Sequence, residues 1–499
     1  MLNVAGLVAV AVVGVALLNA LAAMLRWPAP ILLFAGGLGA SFLPGLPDGR
    51  TLDPLLLIGL ILPPLLYASS VEASTHLIRF QWLRGLALGL LLHAGIVALV
   101  ALATKLVFPF ASWTGAILLG IVLATGDEAL ARETGVANKA PRTVLDAMRG
   151  HGLVAPLLLL TLFVTFSEHA GRGPPGLSDL AFAYAKDWIG GGLLGVALGF
   201  AVIALRRRLD AASVEIALSV ATPFAASALS QLAKVSVAAI IVPAAVMIGR
   251  AAIDARTGAT LSSAETRLIG RHVWRETKLL LTGMLYLLVG FALPDALAGA
   301  RDWSLAGAFG LAVLALAVAG FVQYAVGWLS FALAPDRSAS PVEAGRAALL
   351  MSALPGRAAL GLLIALAVPI TGANGEPMPE RNLILVTMTL AVALSTLLQL
   401  TVIPRLRERL GPDDPGRDAE TELVAQTILP VVPRRVPRGA HPSAETAPGD
   451  EAAAAEARVA LLRLRARDAI GDETLLKGVE AVDLAVRAVE ARTEPPKEG

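Results

Sequence analysis

An all-α polytopic membrane protein is the fold class that the sequence predicts, on three observations. The 499 residues are 56% hydrophobic and only 16% charged, with a mean hydropathy of +0.71, which is too apolar for a soluble globule. From Leu2 to about Leu410 the chain repeats apolar stretches, many near the roughly 20 residues that a helix needs to cross a bilayer core. The stretches lack the period-2 alternation of barrel strands. Within lipid every backbone N–H and C=O must be satisfied inside its own segment, and that leaves helices.

Taken in order, the opening "MLNVAGLVAVAVVGVALLNALAAMLRW" has no basic n-region and outruns a signal h-region, so it reads as a retained first span. On length, about thirteen spans are expected in all. They centre near Ala11, Phe34, Leu62, Leu92, Gly120, Leu157, Ala197, Thr222, Pro243, Leu285, Ala315, Leu360 and Ala391. Basic residues, among them Arg79, Arg84, Lys139, Arg142, Arg206 to Arg208, Arg250, Arg267, Arg271, Arg337 and Arg346, crowd alternate connections on one side. By the positive-inside rule that side is cytoplasmic, with the N-terminus outside and the C-terminus inside. Topology thus accounts for the net charge of +2. No basic, aromatic-interleaved patch calls for nucleic acid. The absence of cysteine excludes disulfides, thiolate metal sites and cysteine nucleophiles.

Composition divides the chain into a transmembrane domain over 1–410, a Pro-rich flexible linker over 411–450 and a cytoplasmic tail over 451–499. The tail has apolar residues at helical spacing and a break at Gly471, so two amphipathic helices are expected. A solvated tail and a regulatory or dimer-supporting appendage both fit.

Ionisable side chains at bilayer depth cost roughly 3 kcal/mol each on insertion scales, so their positions carry the functional reading. In "GAILLGIVLATGDEALARETG" the apolar run ends after about half a crossing, at Thr125, Gly126, Asp127 and Glu128. A discontinuous helix there frees carbonyl oxygens beside a carboxylate and a hydroxyl, an oxygen site suited to a monovalent cation. The alternative is a span that ends at Thr125, with Asp127 and Glu128 capping a short interfacial helix. Seven spans later Pro355 and Gly356 break "SALPGRAALGLLIALAVP" just before Arg357. Paired breaks point to two inverted repeats, although a Pro-kinked helix with a snorkelling Arg357 is the simpler reading. Between them lies "LDAMRGHGLVAP", with Asp146, Arg149 and His151. Asp146 and Arg149, three apart, also fit a local helix-end pair of about 0.5 kcal/mol. His93, Glu276 and Lys278 are expected in helix-end or interhelical hydrogen bonds. Neither a Walker-type phosphate loop nor a hydrolase constellation is present, so ATP-driven transport and membrane hydrolysis are disfavoured and no cofactor is implied.

In order and spacing these segments resemble the bacterial sodium/proton antiporters of the monovalent cation/proton antiporter superfamily. "LDPLLLIGLILPPLLYASS" is similar to their third-span signature, and "LLGIVLATGDEALA" sits where they carry Thr-Asp-Pro. "LDAMRGHGLVAP" resembles their Gly-Glu-Ser-Leu-Leu-Asn-Asp-Gly segment, "LSQLAKVSVAAIIVPAAVMIG" their alanine-glutamate and valine-serine helix, and "LPGRAALGLLIALAVP" their Gly-Leu-Arg-Gly-Ala helix. The resemblance implies an NhaA-like fold and a homodimer with a mobile core. It also implies one carboxylate for which Na⁺ or K⁺ competes with H⁺.

The chain departs from that pattern at the chemistry. His151 falls where the family has its cation-binding aspartate, Gly150 on its asparagine and Asp146 on its glutamate; Gln231 replaces a glutamate. Anchoring on Thr125 puts Gly126 at the second aspartate, and a one-residue slip restores Asp127. The helix before the Arg357 segment has no basic residue. Imidazole, with a reference pKa of about 6.5, carries protons but coordinates Na⁺ poorly. The expected site therefore has Thr125, Asp127 and Glu128 as cation ligands and His151 as proton carrier, with Asp146, Arg149 and Arg357 as a charge network. A hydrogen-bonded interior histidine is the alternative for His151. Two functions fit: a secondary cation/proton antiporter, or a transport-deficient membrane sensor or scaffold descended from one.

Overall fold

The structure is a computed structural model that describes residues 4–43, 59–71, 82–126, 144–145, 148, 155–209, 211–299, 303–332, 341–354, 356, 359–410, 415–431, 451–467 and 469–493. Among the described residues there are helices and no strands. Each of the thirteen expected span centres falls in a helix. Six helical segments are long and apolar enough to cross a bilayer, and five shorter apolar helices accompany them.

The helices that matter here fall into two packed groups. The first contains α4 (Trp82–Val107), α5 (Trp113–Ala124), α6 (Ala155–Glu168), α12 (Leu305–Ala332), α13 (Pro341–Ala353), α14 (Ala359–Ala367) and α15 (Glu380–Thr401). In it α4 lies along α5 and α12, and α15 packs on α5, α12 and α14. The second contains α1 (Val4–Leu25), α2 (Ala29–Ala40), α3 (Leu62–Val71), α8 (Gly192–Arg206), α9 (Ala212–Ala233), α10 (Val237–Ala251) and α11 (Ala264–Ala298). There α11 packs on α2, and α10 packs on α3 and α8. The groups meet where α11 touches α14 and α15 and where α6 touches α10. Linking them is α7 (Leu177–Ala185), which runs through a π-helical turn at Lys186–Gly191 into α8. Because both groups bury aliphatic side chains against one another, one apolar core runs through them, from Val15 and Leu33 to Leu119, Ile240, Leu285 and Leu363.

Local chemistry fixes several ends. Ser112 caps α5, its Oγ accepting from Gly115 N at 2.9 Å, and Glu380 Oε1 accepts from Ser112 N at 2.6 Å. A carboxylate there complements the positive end of the helix dipole. At 35 residues, α11 is roughly 52 Å long and exceeds the roughly 30 Å hydrocarbon core. Its charged first turns, with Glu265, Arg267 and Arg271, belong to the surplus. Glu276 lies within α11 and pairs with Arg275 at 3.6 Å, both exposed.

Beyond α16 (Ile403–Leu410) three further helices, α17 (Pro415–Ile428), α18 (Glu451–Ala466) and α19 (Asp472–Thr493), pack around Val424, Leu461, Ile470 and Val482. The two tail helices stand on either side of Gly471, as their spacing predicts. Composition predicts a linker where α17 forms. Its Leu423, Val424 and Ile428 lie at helical spacing and join the tail core, and that burial outweighs the Pro, Gly and charge around them. Residues 432–450 of the expected linker lie outside the described residues. The tail is tied to the projecting end of α11. Asp483, fully buried, accepts from Arg267 at 2.5 Å, Arg271 at 2.8 Å and Arg458 at 3.5 Å.

Candidate functional site

Two short helices meet in the first group. One, α5, has 12 residues, or about 18 Å, roughly half of the way across a bilayer. It stops at Ala124, and Thr125 takes an extended conformation with φ −71° and ψ 124°. Thr125, 2% exposed, donates its hydroxyl back to Val122 O at 2.7 Å. The other, α14, has 9 residues and begins after the expected break at Pro355 and Gly356.

The end of α5 and the first turn of α14 lie against one another. A Cβ on Gly361, in the first turn of α14, would collide with Thr125 Oγ1 and Met388 Cε and sit 2.9 Å from Val122 O. Only a residue without a side chain lets the start of α14 come this close to the end of α5.

Ending a helix inside lipid strands carbonyls that water would otherwise satisfy. At each break a neighbouring helix supplies a donor. His93 on α4, 5% exposed, places Nδ1 3.1 Å from Ala124 O. A carbonyl only accepts, so Nδ1 carries the hydrogen. On α15, Gln399 donates Nε2 to Leu354 O at 2.7 Å. His93 is expected from the sequence to hydrogen-bond, and the structure adds that it does so at the site; Gln399 carries no such expectation. Polarity at apolar depth was the available signal in both cases. Thr387 and Thr389, flanking Met388, are also buried, with hydroxyls that find no partner among the described residues.

Of the expected site residues the structure places Thr125, at the crossing. Asp127, Glu128, Asp146, Arg149, His151 and Arg357 lie outside the described residues. Gln231 is exposed near the end of α9, five residues before Ser236 at the N-terminus of α10.

A profile described as "Sodium/hydrogen exchanger, transmembrane" matches residues 2–408. The chain belongs to the sodium/hydrogen exchanger family. An uncharacterized Na⁺/H⁺ exchanger of Mycobacterium tuberculosis is 31% identical over 431 residues, covering 81% of this chain and 75% of the relative. A sodium, potassium, lithium and rubidium/H⁺ antiporter of Bacillus pumilus is 25% identical over 398 residues, covering 76% of this chain and 58% of that protein. In fold the exchanger resembles the sodium proton antiporter MjNhaP1 of Methanocaldococcus jannaschii. The TM-score is 0.64 and the identity 13%, over 81% of this chain and 98% of that one. The exchanger is therefore a multi-pass membrane protein that exchanges monovalent cations for protons, a secondary transporter and not an enzyme. The resemblance drawn from its motifs identified the family correctly.

Proposed function

We propose that the exchanger moves Na⁺ or K⁺ against H⁺ by alternating access, with its ion site at the crossing of α5 and α14. The observation that carries this reading is the contact of Thr125 with Gly361 at two helix interruptions. Both breaks fall in apolar stretches of the chain, and each terminal carbonyl is held from a neighbouring helix. Unwound backbone at such a point offers oxygen ligands that lipid-facing helices cannot. Asp127 and Glu128, just beyond Gly126, supply the carboxylates. His151 carries protons, and Asp146, Arg149 and Arg357 neutralise one another. Coupling needs nothing more than one buried negative charge that either a proton or a cation stabilises, since binding one disfavours the other. The broad cation range in the name of the Bacillus relative makes K⁺ a candidate beside Na⁺.

The arrangement proposed around this site is a bacterial inner-membrane protein of about thirteen spans in two inverted repeats. It works as a homodimer, with the N-terminus outside and the tail in the cytoplasm. Proteoliposomes loaded at one pH and challenged with Na⁺, K⁺ or Li⁺ gradients test the reading through internal pH. Asp127→Asn abolishes exchange and His151→Ala alters its pH dependence. Exchange that ignores both substitutions refutes the site, and a protein inert to every cation refutes antiport.

A further inference from the structure

A second carboxylate lies in a helical segment long and apolar enough to cross a bilayer, on other helices than the crossing. Asp187 occupies the π-helical turn of the 30-residue apolar span Leu177–Arg206. It is ten residues, or about 15 Å, in from Leu177, and 4% exposed. Its Oδ2 accepts from Thr161 Oγ1 on α6 at 2.8 Å, and its Oδ1 accepts from the backbone N of Ser236 at 2.9 Å. Ser236 is the N-cap of α10. Asp187 therefore bridges α6, from the first helix group, and α10, from the second.

A static tether would not need a charge. An ionised carboxylate has about four acceptor sites, and two are filled here by neutral donors. No Lys or Arg pairs with Asp187 among the described residues. The ionisable groups on the elements packed around it are Asp179, Tyr184 and Lys186 on its own span, Glu168 and His169 at the end of α6, and Lys234 just before α10. Of these, Tyr184 gives its hydroxyl to Leu158 O at 3.0 Å, and His169 Nδ1 is 2.9 Å from Thr165 O. Arg206 and Arg250 stand at the opposite ends of α8 and α10, 19 residues after Asp187 and 14 after Ser236, or roughly 28 and 21 Å along the helices. Partial positive charge at the α10 N-terminus helps but does not neutralise a full anion. The Ser236 hydroxyl, on the residue whose N–H the carboxylate binds, is buried and makes no hydrogen bond among the described residues. Such a carboxylate is neutral only when it holds a proton or a cation. π-turns that interrupt α-helices frequently mark functional positions.

We propose that Asp187, with the hydroxyls of Thr161 and Ser236, is a second ion site, at which a proton and the transported monovalent cation replace one another at the junction of α6 and α10. The proposal rests on the exchange reading above but not on the crossing of α5 and α14.

Asn at this position still accepts from Ser236 N and still pairs with the Thr161 hydroxyl, so Asp187→Asn keeps the tether and deletes the charge. In proteoliposomes with Na⁺ or K⁺ gradients, Asp187→Asn raises the apparent KM for the cation at least tenfold and flattens the pH profile. Thr161→Val keeps the carboxylate but removes one of its two hydrogen-bond donors, so exchange persists with a raised apparent KM for the cation. A second measurement needs no transport: Na⁺ or K⁺ added to the full-length protein in weakly buffered detergent releases protons, and Asp187→Asn releases fewer. A wild-type protein that exchanges nothing, yet loses this proton release in Asp187→Asn, removes the exchange reading and leaves the site standing. If Asp187→Asn matches wild type in KM, pH profile and proton release, Asp187 is a tether only and the proposal is overturned.

Discussion

Adding one methyl group at Gly361 tests the crossing directly. In Gly361→Ala the new Cβ meets three atoms of different freedom: Met388 Cε, Thr125 Oγ1 and Val122 O, the last at 2.9 Å. The Met388 methyl ends a flexible side chain and can swing aside. Val122 O is backbone, and the Thr125 hydroxyl is already bound to it at 2.7 Å. The ends of α5 and α14 must therefore separate by roughly 1 Å, and overpacking of this kind costs about 1–3 kcal/mol. Against it stands the gain of up to about 1 kcal/mol from replacing a helical glycine by alanine. The net effect is a destabilisation of about 1–2 kcal/mol, seen as a lower melting temperature in detergent and slower Na⁺/H⁺ or K⁺/H⁺ exchange. Gly320→Ala is the control: on α12 nothing lies within 4 Å of the added Cβ, so the same change raises the melting temperature. Adding Thr125→Ala to Gly361→Ala makes room again and restores part of the lost stability, with a coupling of about 0.5–3 kcal/mol. Were Gly361→Ala to melt higher, like Gly320→Ala, and exchange at the wild-type rate, the close approach would be wrong.

Three further outcomes are expected. His93→Leu leaves Ala124 O without its donor at a cost of about 1–3 kcal/mol; exchange falls about tenfold with helix content by circular dichroism unchanged, and wild-type exchange would remove His93 from the site. Asp483→Ala removes the carboxylate that Arg267, Arg271 and the fully buried Arg458 share, leaving Arg458 only Glu451 at 2.9 Å, at about 3–5 kcal/mol for breaking a buried pair and less in proportion as Arg271 is solvated. The tail then leaves α11, and trypsin cuts at Arg267 and Arg271 sooner; an unchanged digestion pattern would contradict the clamp. Gly258 has φ +70° and its missing Cβ would collide with Ala455 O, so Gly258→Ala costs about 1–3 kcal/mol and speeds the same cleavage, whereas a digestion pattern like that of the wild type would show that the loop does not hold the tail.

Much of the architecture was legible in the sequence. Membrane class, helix type and the places where helices stop follow from hydropathy and from Gly, Pro and acidic residues set in apolar runs, because lipid penalises every unsatisfied polar group in the same way. Thr125 as the end of α5 came from that logic, and so did the break before α14. Other features were not legible. The helix over Pro415–Ile428 depends on a tail core whose members are far apart in sequence. Asp187, an isolated acid in a span read as plain, gained meaning only when Thr161 and Ser236 converged on it.

What the sequence determined by itself was therefore the solvent that each segment prefers and the family whose order of motifs it shares, since both are sums over neighbouring residues. The tertiary structure decided which interruption faces which and which donor meets which carbonyl. It also decided which charges are left in oil to be matched. Those are pairings between residues up to 268 positions apart, as between Ser112 and Glu380, and no local pattern encodes them, because a helix buries the same face whichever neighbour covers it.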